Sequence, residues 1–146
     1  MLSEKRPSIL RVIQIDYWAF IAAVFTVLFW VFYLYDTFIR KNEAANYLYW
    51  LIGVTFVCLA VILWRYASIL SIYGAGLEAK AVVSGAGFFR DRGYISFIYT
   101  YQGQKYQSRV SVMRTKRTAR FQVGDEIDVL VDRDNPKRAV IRNLYV

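Results

Sequence analysis

Two long uncharged apolar runs dominate this chain of 146 residues. Residues 17–35 form 19 consecutive positions without a charged side chain, and residues 47–64 form a second run of 18 positions. At about 1.5 Å of rise per residue, each run makes a helix nearly as long as a bilayer's hydrocarbon core is thick, about 30 Å. Because so short a chain has little else to cover two apolar helices, the runs predict transmembrane spans rather than buried core helices.

A cleaved signal peptide does not fit the first run. The run exceeds the length of an h-region, about 7–15 residues, and it ends in Phe, Tyr and Leu instead of small residues. Tyrosines and tryptophans mark both ends of each run, as is typical of side chains at headgroup depth. We therefore expect two uncleaved spans at about residues 17–35 and 47–66.

The short segment between the spans, residues 36–46, makes them antiparallel neighbours with both chain termini on one side of the membrane. Positive charge near the spans indicates which side this is, because cytoplasmic flanks carry the excess of lysine and arginine. Five cations flank the outer ends and two lie in the connecting segment: Lys5, Arg6, Arg11, Arg65 and Lys80 against Arg40 and Lys41. The sequence thus predicts a multi-pass protein with cytoplasmic termini.

Small residues recur along one face of each span. They are Ala19, Ala23 and Thr26 in the first span, and Gly53, Ala60 and Ala67 in the second. Small faces let two helix backbones approach closely within lipid. Two interpretations stay open, namely that these faces pack against each other to close the hairpin, or that one docks a helix of another protein.

The spans divide the chain into three parts. Residues 1–16 are expected to form an interfacial segment, in which the amphipathic stretch 9–15 continues as a helix into the first span. Asp16, at the rim, is interpreted as a solvated residue at a helix N-terminus, and Arg65 as a snorkelling cation. Residues 17–76 form the hairpin, with the second helix extended as far as the glycine-rich break at 74–76.

Residues 77–146 form the third part, where apolar residues recur with a period of two. The glycine-rich stretch 84–87 and the Asn-Pro stretch 134–137 predict turns, and Gly103 predicts a hairpin loop. The predicted strands are 79–84, 94–101, 105–113, 127–131 and 139–146. Such a unit is a small antiparallel β barrel or curled sheet, and the whole chain is an α+β membrane protein.

Four pieces of this β domain resemble an uncharacterised family of bacterial membrane proteins, a domain of unknown function. They are Ala81-Val82-Val83, Tyr99-x-Tyr101-x-Gly103-x-x-Tyr106, Phe121-x-Val123-Gly124-Asp125-x-Ile127-x-Val129, and Val131-Asp132-x-Asp134-Asn135-Pro136-x-x-Ala139-Val140-Ile141. Val131 departs from the family, which often has tyrosine there. The resemblance implies a β fold in a bacterial plasma membrane and implies no activity. A weaker likeness is to the OB-like domain of membrane proteins that partner stomatin-type scaffolds.

A basic patch of five cations within twelve residues begins in the second predicted hairpin strand and extends past its end. Its members are Arg109, Arg114, Lys116, Arg117 and Arg120, and no acidic residue lies between them. Four interpretations remain open: a solvated loop, a contact with anionic lipid headgroups, a contact with an acidic protein surface, or a nucleic-acid contact. The last is the least favoured, because only Phe88, Phe89 and Tyr94 are candidates for exposed base stacking.

Composition narrows the chemistry further. The chain has no histidine and one cysteine, Cys58, which lies in the middle of an apolar run. An imidazole base, a histidine metal site and an intrachain disulfide are therefore excluded, and no catalytic, cofactor or metal site is predicted. We expect a non-enzymatic accessory or scaffold subunit that binds another integral membrane protein. The alternative is a membrane-surface module that binds anionic headgroups through residues 109–120.

Overall fold

The computed structural model describes residues 6–40 and 45–146, so Lys5 and Lys41 of the charge argument lie outside the described residues. The helices are α1 (Ile9–Ile15), α2 (Tyr17–Phe38) and α3 (Ala45–Ala75). The strands are β1 (Leu77–Phe89), β2 (Arg92–Tyr101), β3 (Gln104–Met113), β4 (Glu126–Val131) and β5 (Ala139–Ile141). A single 3₁₀ turn, Thr118–Arg120, lies between β3 and β4.

Helices α2 and α3 form the predicted antiparallel hairpin, and both are long and apolar enough to cross a membrane. Only 11% of the most apolar window of each helix is buried inside the protein, which is unlike the core helix of a soluble domain. The indole nitrogen of Trp30 donates a hydrogen bond to the hydroxyl of Thr55 at 3.1 Å. The rings of Tyr33 and Tyr47 stack with their centroids 6.4 Å apart.

The five strands form one antiparallel sheet in the order β3-β2-β1-β4-β5, curled into a nearly closed barrel as predicted. The glycine-rich stretch 84–87, however, is not a turn. Strand β1 continues through it with a β-bulge between Val83 and Gly85, and the chain reverses at Arg90, whose φ is +55°. The prediction was wrong because a bulge and a turn use the same glycines, and only the pairing with β2 distinguishes them.

The barrel interior is filled by side chains at every second position of the strands. Ile95, Phe97 and Tyr99 of β2 are buried, as are Val129 and Val131 of β4. The closing strand is shorter than predicted and ends at Ile141. Beyond it Leu144 and Tyr145 are still buried in the core, outside the residues that pair with β4.

Helix α1 and the last turns of α3 complete this core. Val12 and Ile15 of α1 belong to the same buried cluster as the strands, together with Ile69 and Ile72 of α3. The expectation that 9–15 continues into the first span is wrong, because the backbone at Asp16 is extended and separates α1 from α2. The β domain and the hairpin thus share one core, while lipid contact by α1 stays a prediction.

Candidate functional site

Strand direction fixes which end of the barrel lies beside the hairpin. Strand β1 begins where α3 ends and runs back, so the β1–β2 turn lies near the start of α2. An isolated antiparallel bridge between Asp16 and Val112 places the end of β3 there too. The backbone N–H of Arg114 donates to the carbonyl of Asp91 at 2.8 Å, which joins the next segment to that turn. We call this end of the barrel, residues 87–94 and 111–120, the proximal end.

Asp16 is the junction between the hairpin and the barrel. Its side chain is fully buried, and its Oδ1 accepts hydrogen bonds from the N–H of Ala19 at 3.1 Å and from Nε of Arg65 at 3.2 Å. A second hydrogen bond and ion pair joins Oδ2 to the Arg65 guanidinium. The interpretations of a solvated Asp16 and a snorkelling Arg65 are therefore wrong, since the break between α1 and α2 turns the carboxylate onto α3.

Three tyrosines reinforce this junction. The hydroxyl of Tyr66 donates to the carbonyl of Pro7 at 3.4 Å, and that of Tyr73 donates to the carbonyl of Arg142. The third tyrosine, Tyr145, contributes its backbone carbonyl, which accepts a hydrogen bond from the N–H of Ser8 at 3.2 Å. Its side chain is buried, and this burial raises the pKa of the Tyr145 phenol. These contacts connect residues far apart in sequence, so only the fold reveals them.

An aromatic cavity of about 400 Å³ opens at the proximal end. Four rings and two cations line it: Tyr17, Phe88, Phe89, Tyr94, Arg92 and Arg109. The guanidinium carbon of Arg109 lies 3.8 Å from the centroid of the Tyr94 ring, a cation–π distance. The structure thus brings together the three aromatic residues that the sequence offered as stacking candidates.

Two glycines under these rings fix the shape of the cavity. A Cβ on Gly93 would lie 2.3 Å from Cδ1 of Phe88, and one on Gly87 would lie 2.8 Å from Cε1 of Tyr94. Each glycine pairs across the β1–β2 ladder with the aromatic residue that covers it. The rings can lie flat on the sheet only because these positions lack side chains.

A second cavity, of about 340 Å³, follows the seam where the barrel stays open between β3 and β5. Ser108 and Arg109 line it from β3, and Arg138 and Ala139 from the β5 side. The Arg138 guanidinium donates to the hydroxyl of Ser68 and pairs with Asp132 at 3.6 Å. The seam is therefore closed partly by α3.

All five members of the basic patch are exposed, but they do not form one loop. Arg109 lies in β3 and lines both cavities, whereas the other four follow β3 at the proximal end. Thr118, which sequence reasoning missed, folds this segment: its buried hydroxyl donates to the Met113 carbonyl at 2.7 Å and accepts from the Thr115 N–H at 2.8 Å. A single threonine among cations gives no sequence signal of that role.

The small faces of the hairpin do not meet. Ala19 is buried and Ala23 and Thr26 are half-buried, but Gly53 and Ala60 are exposed. A Cβ on Gly53 would meet no atom of the described part of the chain within 4 Å. Closure of the hairpin through the α3 glycine face is therefore wrong, since α3 turns Leu51, Thr55 and Ile62 inward. Docking of that face to another protein stays a prediction.

Within residues 6–40 and 45–146, no group of three or more histidine, cysteine or acidic side chains is placed to hold a metal ion. The acidic turn after β4 forms hydrogen bonds within itself. There, Oδ1 of Asp132 accepts from the N–H of Asp134 at 3.1 Å.

A search of curated proteins and a search of solved structures found no match to the chain. A scan against family models matched the β domain, in agreement with the expected resemblance to an uncharacterised family. Residues 78–144, which form the barrel described above, match the family described as a domain of unknown function (DUF3592).

Proposed function

We propose that this protein is a non-enzymatic accessory subunit of a bacterial plasma membrane, anchored by α2 and α3, that binds another integral membrane protein. The exposed apolar surface of both helices supports the anchoring. Arg6, Arg11 and Arg65 support cytoplasmic termini, since these cations flank the outer ends of the hairpin. In this orientation the β domain lies on the cytoplasmic surface.

The observation that carries the proposal is an outward-facing notch at Gly53. Large side chains three and four positions away surround it, and each is well exposed: Tyr49 76%, Trp50 76%, Phe56 68% and Val57 64%. A helix of another protein can insert a side chain between them and bring its backbone close to α3. The hairpin itself leaves this notch open.

The fixed position of the β domain relative to the hairpin supports the same proposal. The buried ion pair between Asp16 and Arg65, and the core shared by α1, α3 and the strands, hold the barrel in one position over the hairpin. A partner docked at Gly53 in the bilayer therefore meets a β domain of fixed orientation. The β3 edge, bridged within the chain only at Val112 among the described residues, offers it backbone hydrogen bonds.

The substitution Gly53→Leu tests the proposal. It adds apolar volume, so the helix still inserts, but it fills the notch. Purification from the native membrane in mild detergent should yield one defined complex for the natural protein and none for Gly53→Leu. Val27→Leu, at a 62% exposed position of α2, is the matched control and should retain the complex. An intact complex with Gly53→Leu would overturn the notch as the docking site.

A second candidate function is the membrane-surface module, and the position of the basic patch favours it. Arg114, Lys116, Arg117 and Arg120 follow β3 at the proximal end, the end that faces the bilayer if α2 and α3 span it. Each cation near an anionic membrane surface contributes about 1 kcal/mol of attraction. Neutralising Arg114, Lys116 and Arg117 together should then remove the stabilisation that anionic nanodiscs give the full chain.

A further inference from the structure

We propose that the aromatic cavity at the proximal end binds one anionic glycerophospholipid. The phosphate lies between Arg92 and Arg109, and an acyl chain follows the rings of Tyr17, Phe88 and Phe89. This inference rests on the membrane anchoring proposed above, but it does not depend on the partner protein. It is also distinct from the diffuse attraction of Arg114, Lys116, Arg117 and Arg120, because it concerns a single shaped site that shares only Arg109 with the basic patch.

The polar side of the cavity suits a phosphate. Arg92 and Arg109 both line it, and no acidic side chain of residues 6–40 or 45–146 does. Neither guanidinium forms an ion pair with any carboxylate among the described residues. Arginine forms paired, charge-assisted hydrogen bonds with phosphate oxygens, and the Tyr94 ring holds the Arg109 guanidinium in place.

The apolar side of the cavity suits an acyl chain. Tyr17 is the first residue of α2, so the cavity opens where the first apolar helix begins. Phe89 is 66% exposed beside it, although it lies in a β domain that buries its other phenylalanines more fully. A lipid next to α2 therefore has its headgroup at the level of the arginines and its chain beside the rings.

The cavity is preformed rather than opened by a ligand. Gly87 and Gly93 let Tyr94 and Phe88 lie flat, which leaves a volume of about 400 Å³ above them. That volume is within the range of about 300–1,000 Å³ that is typical of ligand pockets. A preformed site loses less ordering entropy on binding, which favours one retained lipid over a shifting annulus.

Native mass spectrometry of the full chain tests the proposal. The protein is reconstituted in nanodiscs of phosphatidylcholine with or without phosphatidylglycerol, then released into mild detergent, and its retained lipids are counted. We expect one retained phosphatidylglycerol per chain, in preference to phosphatidylcholine. Arg92→Gln with Arg109→Gln should lower its retention about tenfold or more, because two charge-assisted contacts are lost.

The matched control is Lys105→Gln with Arg133→Gln, which removes the same charge from exposed positions outside the cavity. It should retain phosphatidylglycerol like the natural chain. An equal loss in both double variants would overturn the site in favour of general surface attraction. Equal retention in both would overturn it outright.

A second variant keeps the proposal testable if the arginine change disturbs folding. Phe89→Ser alters an exposed side chain and no charge, so it should leave the unfolding temperature in phosphatidylcholine unchanged while it weakens retention of phosphatidylglycerol. Full retention by this variant would contradict the acyl-chain assignment.

Two further outcomes distinguish the lipid site from a site for free phosphate and from a failure of the membrane anchoring. Stabilisation by soluble glycerol 3-phosphate as large as that by phosphatidylglycerol would contradict a lipid and indicate a free phosphate ligand. A chain that does not enter nanodiscs at all would refute the membrane anchoring itself, whereas a chain that enters them and keeps no phosphatidylglycerol refutes only this lipid site.

Discussion

Asp16 and Arg65 form a buried ion pair that joins the start of α2 to α3 at the point where the hairpin meets the barrel. The Asp16 side chain is fully buried and also caps α2 through the Ala19 N–H. Asp16 therefore links three parts of the chain: its carboxylate joins α2 to α3, its backbone N–H donates to the Val12 carbonyl of α1, and its backbone bridge to Val112 reaches strand β3.

Removing one member of this pair should be costly. Asp16→Asn keeps a capping group but leaves the Arg65 guanidinium without its charge partner, and breaking a buried pair costs about 3–5 kcal/mol. We expect the low end of that range, because the Arg65 side chain is 26% exposed. Unfolding by denaturant in detergent measures the loss. Asp16→Asn with Arg65→Met should lose less than the sum of the two single changes, and strict additivity would contradict the coupling.

Helix α1 should behave as part of the barrel core. Ile15 is 4% exposed in the cluster that contains the strands, whereas Leu10 of the same helix is 67% exposed. Ile15→Ala should therefore lower the free energy of unfolding by about 2–4 kcal/mol. Leu10→Ala should change it by less than about 0.5 kcal/mol in detergent. Equal effects of the two changes on the β-sheet unfolding transition would show that α1 does not share the core.

Substitution by alanine should change the stability of the fold in opposite directions at Gly93 and at Gly74. Gly93→Ala places a Cβ 2.3 Å from the Phe88 ring and 2.5 Å from the Gly87 carbonyl oxygen, so we expect destabilisation by about 1–3 kcal/mol. Gly74 lies near the end of α3, where a Cβ would meet no described residue within 4 Å. Gly74→Ala should stabilise by up to about 1 kcal/mol through helix propensity. An unfolding temperature of Gly93→Ala that is equal to or above that of the natural chain would contradict this account of the β1–β2 ladder.

Alkaline pH should weaken the β domain. Burial raises the pKa of the Tyr99 phenol from 10.0 to about 12, and its hydroxyl donates to the Pro136 carbonyl. A phenol whose pKa is higher in the folded chain stabilises the fold fully below pH 10, and this contribution is lost as the pH rises from 10 through about 12.

Tyr99→Phe tests that assignment. It should lower stability by about 1 kcal/mol at neutral pH, through loss of one hydrogen bond, and make the decline above pH 10 shallower. Unfolding measured from pH 8 to pH 12, with Tyr101→Phe as the control for loss of a hydroxyl, checks both effects. An unchanged alkaline slope in Tyr99→Phe would contradict it.

Features set by local pattern were predictable from the sequence. The two apolar runs predicted α2 and α3, and the period of two predicted a strand at 94–101, where β2 buries Ile95, Phe97 and Tyr99. The glycine-rich break predicted the end of α3, which stops at Ala75. Length, charge and period suffice for such features because each depends on neighbours in sequence.

Features set by tertiary contact were not predictable. The burial of Asp16 depends on a residue 49 positions away, and a rim carboxylate in sequence looks the same whether it is solvated or paired. The outward orientation of Gly53 depends on how α3 is rotated about its axis. The spacing of seven residues between Gly53 and Ala60 shows that the two share a face, but not which way that face points. The aromatic cavity needs Tyr17 and Phe88 together, and only the strand direction brings them there.

We infer that α2 and α3 span a membrane and that the proximal end of the barrel faces it. Depth-dependent quenching of a label tests it most directly, with Phe89→Cys and Lys105→Cys each placed in a Cys58→Ala background. We predict quenching by lipid-borne quenchers at position 89 and by water-soluble quenchers at position 105. Equal exposure of both labels to water-soluble quenchers would contradict the claim.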